Sequence, residues 1–84
     1  RRRIDADDAT SVLAGRPVLV RVDRESDPRE VRYVEVGLDR KGRLITVVWV
    51  ERSGIRRLVT AWRASRDEER IYVEAQGRPA GGPG

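Results

Sequence analysis

The stretch Gly42–Tyr72, GRLITVVWVERSGIRRLVTAWRASRDEERIY, decides how the rest of the chain is read. Leu44–Val50 is a nearly unbroken run of β-branched and aromatic residues, the pattern of a strand buried on both faces at the centre of a sheet. Glu51-Arg52-Ser53-Gly54 supplies a turn, and Ile55–Trp62 reads as the returning strand. Ser65-Arg66-Asp67-Glu68 has the spacing of a capping box, a hydroxyl with a carboxylate three residues on, each meeting a backbone donor at a helix start. That predicts a helix over Arg66–Gln76, stopped at Gly77. Its apolar residues are read as Ile71, Val73 and Ala75, with Tyr72 beside them and Glu68 and Glu69 on a solvated face. Around this apolar hairpin stand Arg52, Arg56, Arg57, Arg63 and Arg66, so a buried platform carries cations at its end.

Working outward, Asp5–Ala14 reads as a short helix. Asp5 is its N-cap, Asp7 and Asp8 complement the positive end of the helix dipole, and Gly15 follows it. An acidic start suits packing on a sheet better than contact with a polyanion. Val18–Val22 is a strand opened by Pro17, and Asp23–Arg29 is a charged loop closed by Asp27-Pro28. Glu30–Leu38 is the next strand. Strict alternation puts Arg32 on the face of Val34 and Val36, either snorkelling to Glu30 or free to hold an anion. Asp39-Arg40-Lys41-Gly42 forms the following turn, with Gly42 in a left-handed position. In the last strand, alternation groups Ile55, Arg57, Val59 and Ala61 on one face, and Arg56, Leu58, Thr60 and Trp62 on the other. If the strands share matched faces, Arg32 and Arg57 approach one site. Trp62 reads as packing rather than as a base-stacking platform.

The fold class is therefore α+β: a small, mostly antiparallel four-stranded sheet with an N-terminal and a C-terminal helix. One domain spans 1–77, and residues 78–84, rich in Pro and Gly, read as a disordered tail. With 84 residues there is room for one modest core. The chain has no Cys and no His, so thiolate metal sites, disulfides and histidine-based triads are excluded. No metal site and no cofactor are expected. No apolar run or signal-peptide pattern points to a membrane, so a cytoplasmic protein is expected.

Net charge is +4, and 17 of the 18 basic residues are Arg. The guanidinium is a planar fork that grips phosphate and stacks on bases. A GC-rich genome produces the same bias, so placement, not number, must carry a nucleic-acid reading.

In order, Ile4-Asp5-Ala6-Asp7-Asp8-Ala9, Glu30-Val31-Arg32-Tyr33-Val34-Glu35-Val36-Gly37, Gly42–Arg52 and Arg57–Glu68 resemble the BrnT family of toxins from type II toxin–antitoxin systems, members of the RelE/ParE-like superfamily. The resemblance runs from about Ile4 to Tyr72. It implies a RelE-like fold and a small endoribonuclease that arrests translation and is neutralised by a cognate antitoxin. Operator DNA is then met only through that antitoxin, and the substrate is RNA, above all mRNA, on or off the ribosome. An Arg-rich, His-free site suits chemistry in which the RNA 2′-OH attacks its own phosphate. On this resemblance Arg32, Glu51 and Arg63 are the candidate catalytic residues, with Glu51 or Glu30 taking the proton. Arg52, Arg57, Ser65 and Arg66 are candidate RNA-binding residues.

The sequence also departs from the family. Arg1-Arg2-Arg3 stands where the family has Lys-His-Gly, and Trp62 stands where it has Arg. The family's first strand would lie upstream of Arg1, and the chain does not begin with Met. A second reading is therefore a non-catalytic module that binds RNA or an antitoxin on a degenerate toxin scaffold.

Overall fold

The computed structural model describes residues 4–24 and 30–77. The Arg1–Arg3 arm, the Asp27-Pro28 turn and the 78–84 tail lie outside them. The order is helix α1 (Ala6–Ala14), strands β1 (Val18–Asp23), β2 (Arg32–Leu38), β3 (Leu44–Arg52) and β4 (Ile55–Arg63), then helix α2 (Arg66–Gln76). The strands form one sheet in sequence order, and every neighbouring pair is antiparallel. This is the expected small α+β architecture. No helix among the described residues is long and apolar enough to cross a membrane.

β3 is a central strand, and its residues Ile45–Val50 are all buried. One face, carried by Ile45, Val47 and Trp49, packs against Ala9 and Val12 of α1, with Ile4, Leu13, Tyr33, Leu58 and Ala61 around it. Fully burying each such aliphatic side chain contributes about 1.5–3 kcal/mol. Gly37 lies beneath α1. A Cβ there would come within 3.1 Å of the Pro17 backbone and 3.2 Å of the Val12 side chain. The other face carries Val34, Val36, Thr46, Val48 and Val50, and α2 packs over its β1–β2 half. The β3–β4 turn is two residues, Ser53 and Gly54, both at positive φ (55° and 78°), a geometry that matches the twist of the flanking strands.

Strict alternation fails in β4. Thr60 pairs with Val48 while Leu58 pairs with Trp49, so Val59 is an extra, unpaired residue. This β-bulge shifts the phase of the strand. Leu58 and Ala61, three apart, both reach the α1 side, whereas Arg57, Thr60 and Trp62 share the α2 side. The expected grouping of Arg57 with Val59 and Ala61 is thereby corrected. Val20 is a second bulge, in β1.

Helix α2 begins as its sequence requires. Ser65 Oγ accepts from the Glu68 backbone N–H, and Glu68 Oε1 accepts from the Ser65 N–H. Its inner face is Glu68, Ile71, Tyr72 and Ala75, the 3.6-residue period, whereas Val73 is 60% exposed. The expectation that Val73 packs inward and Glu68 faces solvent is therefore corrected.

Candidate functional site

Register builds one end of the sheet. Arg32 pairs with Val50 in β3, and Val50 pairs with Arg57 in β4. Paired residues share a face, so the two exposed arginines flank a buried valine on the α2 side. Two strand spacings separate their backbones by about 10 Å. Beside this row lies Arg52, across from Ile55, with its guanidinium 3.6 Å from the Glu30 carboxylate. Glu30 thus pairs with Arg52, and Asp23, across from Arg32, pairs with Arg21 at 3.3 Å. Arg57 makes no ion pair among the described residues. A low-dielectric floor under uncompensated cations strengthens their pull on an anion.

The other sequence-derived candidates are placed elsewhere. Glu51 is on the opposite face, directly across from Arg56. Arg63 pairs with Ile45, five residues along β3 from the Arg32 row, so it stands about 17 Å away and faces the α1 side. Ser65 is taken up by the helix cap, and Arg66 is the exposed first residue of α2. The structure therefore gathers Arg32, Arg52 and Arg57 but does not bring Glu51 or Arg63 to them.

Three clusters were not read from the sequence. In the first, Glu68 Oε1 accepts from Thr46 Oγ1 (2.8 Å) and Trp62 Nε1 (3.1 Å) as well as from Ser65 N (2.8 Å), tying α2 to the sheet. Burial pushes the Glu68 carboxyl up, but the Ser65, Thr46 and Trp62 bonds outweigh it, and the net shift is downward. Trp62 thus serves the helix cap, as its packing reading expected. A helical period counted from Ile71 would have turned Glu68 inward.

In the second, buried Asp8 joins α1 to the β2–β3 turn. It meets Arg40 Nε at 2.7 Å, Lys41 Nζ at 3.0 Å and Arg43 Nη2 at 2.8 Å. Asp39, also buried, accepts from the backbone N–H of Lys41 and Arg43 and from Arg43 Nε. Hydrogen bonds from Arg40 and Lys41 hold the Asp8 carboxyl below its ordinary range. For Asp39, burial raises the value, and the Arg43 and Lys41 bonds bring it below ordinary. These cations are committed to the fold. In the third cluster, Tyr33 and Trp49 stack at 4.4 Å and 18°, Arg56 lies 4.6 Å over the Trp49 ring, and Trp49 Nε1 donates to Glu35 Oε1 at 3.0 Å.

A four-stranded antiparallel sheet with a helix on each face and arginines at one end defines a small basic α+β protein whose available chemistry is that of the guanidinium. A family model described as "Ribonuclease toxin, BrnT, of type II toxin-antitoxin system" matches residues 1–68, and the chain belongs to that family. An RNA substrate and an antitoxin partner go with membership. No curated protein and no solved structure matches the chain.

Proposed function

We propose that the chain is an active endoribonuclease toxin that cuts RNA at the Arg32–Arg57 end of its sheet. The observation that supports this most is the cross-strand row in which both arginines flank buried Val50. In this reading the substrate 2′-OH attacks the adjacent phosphorus, and its proton passes to a carboxylate. The bond to the 5′-oxygen breaks, and that oxygen takes a proton from solvent. The products carry a 2′,3′-cyclic phosphate and a 5′-OH. Arg32 and Arg57 stabilise the charge on the phosphorane, an effect that grows where the floor is apolar. Glu30, held beside Arg52, is the carboxylate on hand at this end, and Glu51 is the alternative from the other face. Arg52 contacts the RNA backbone, and Arg63 and Arg66 do so further along. A cognate antitoxin neutralises the site and carries the pair to operator DNA.

A second reading, a non-catalytic module binding RNA or antitoxin, is favoured by Trp62: the resemblance to the family implies an arginine at this position, and the indole that stands there is tied to Glu68. Induced expression in a bacterial host separates the two. For the toxin, wild type arrests growth and fragments RNA into cyclic-phosphate ends, the Arg32→Ala/Arg57→Ala double variant does neither, and Arg63→Ala retains most of the effect. Normal growth with intact RNA, from wild-type protein shown to be folded, overturns the toxin reading in favour of the module.

A further inference from the structure

The Tyr33–Trp49–Arg56 stack has no part in the cleavage scheme above. It crosses three strands on the α1 side: Tyr33 from β2, Trp49 from β3 and Arg56 from β4. Each layer is held by the one beneath. Tyr33 is the direct cross-strand partner of Trp49, and the Trp49 indole is fixed in rotation by its bond to Glu35. Arg56 stands directly across from Glu51, yet the two form no ion pair among the described residues. Its guanidinium lies instead at 4.6 Å over the Trp49 ring. A cation on an aromatic face is worth about as much as an exposed ion pair, so this choice is within reach of packing alone. Its result is an exposed guanidinium resting on an aromatic base, on a strand that is an edge of the sheet among the described residues.

We propose that the outer face of the Arg56 guanidinium is a docking plate for one nucleobase of the RNA, the fourth layer of the Tyr33–Trp49–Arg56 stack. Stacking asks only for a π-face, so the plate takes any base. Arg57, the next residue, points to the opposite face of the same edge strand. A nucleotide lying round that edge sets its base on Arg56 and its phosphate towards Arg57. The stack therefore supplies orientation that phosphate contacts alone lack, bringing the chain to the cations in a fixed register. Lysine cannot replace arginine here, because it keeps the charge and loses the plane.

The proposal rests on the RNA-binding reading, and the experiment keeps the two apart. The probe is a 2′-O-methyl RNA dodecamer, which lacks the attacking hydroxyl, measured by fluorescence anisotropy beside the same oligomer with its bases removed at the central positions. Wild type is expected to prefer the base-bearing oligomer by about five-fold or more. Arg56→Lys, at an exposed position, is expected to lose that preference while binding the abasic oligomer as wild type does. Equal binding of both oligomers by wild type, or an unchanged preference in Arg56→Lys, overturns the plate and leaves RNA binding standing. No binding of either oligomer by wild type overturns both.

Discussion

Replacing Glu68 with alanine tests how α2 is fastened. The substitution removes the one oxygen that accepts from Thr46 Oγ1, Trp62 Nε1 and Ser65 N. Thr46 is 0% exposed, so its hydroxyl is left unpaired in the interior, at about 1–2 kcal/mol. The Ser65 N–H and the Trp62 indole are nearer solvent and lose about 0.5 kcal/mol each as water replaces the carboxylate. Alanine returns a few tenths through helix propensity, roughly 0.3 kcal/mol. The expected cost is about 2 kcal/mol, which for a domain of this size lowers the melting temperature by roughly 10–15 °C. Thr46→Val in the Glu68→Ala background removes the stranded hydroxyl, so the double variant recovers about 1 kcal/mol relative to additivity. The carboxyl also gives the interaction a pH signature. Its folded-state pKa is depressed, so its stabilisation is present above the unfolded value of about 4.3 and lost as pH falls through the folded value. Glu68→Gln should therefore flatten part of the loss of stability below about pH 4.3. Thermal melts followed by circular dichroism at neutral and acid pH decide the matter. A Glu68→Ala melt within about 3 °C of wild type, or strict additivity with Thr46→Val, would refute the fastening described here.

Asp8→Asn should loosen α1 from the β2–β3 turn and raise hydrogen exchange in both, because it removes the charge shared by Arg40, Lys41 and Arg43; unchanged exchange would contradict the cluster. Its depressed carboxyl acts in the same direction as Glu68, so the variant should also lose less stability than wild type as pH falls through the Asp8 value. Gly37→Ala should cost about 1–3 kcal/mol in denaturant melts, since the new methyl meets the Pro17 backbone and a fully buried Val12 that cannot give way. If the proposed chemistry holds, RNA cleavage should persist in excess EDTA, and Glu30→Gln should slow it more than Glu51→Gln; gel assays on a labelled RNA report both.

Much of this architecture could be read from local chemistry. The six buried residues of β3 announce a central strand, and the Ser65–Glu68 pair fixes the start of α2 to the residue. Gly42 stands at φ 79°, as its turn required. What escaped the sequence was set by tertiary pairing. Nothing within Ile55–Arg63 marks Val59 as the unpaired residue, because the bulge exists only against β3. The Asp8 cluster joins residues more than thirty positions apart, so an acid at a helix start looked complete as a dipole partner. Val73 is a different case. Counting by twos along a helix hid a 3.6-residue period that was there to be read. For the candidate site, the meeting of Arg32 with Arg57 depended on register, and the distance of Arg63 from both follows from the length of β3.

The unpaired Val59 also sets how this strand can change over evolutionary time. Its side chain is 44% exposed, so many residues can replace it at small cost. Deleting it should be tolerated too. Residues 55–58 and 60–63 already match eight β3 residues one to one, so without Val59 Leu58 and Thr60 become neighbours on opposite faces, as regular alternation requires. Every other side chain of β4 keeps its side, and what goes is the local bend and extra twist that a bulge imposes. Val59 is thus a spacer that shapes the strand and carries none of its register.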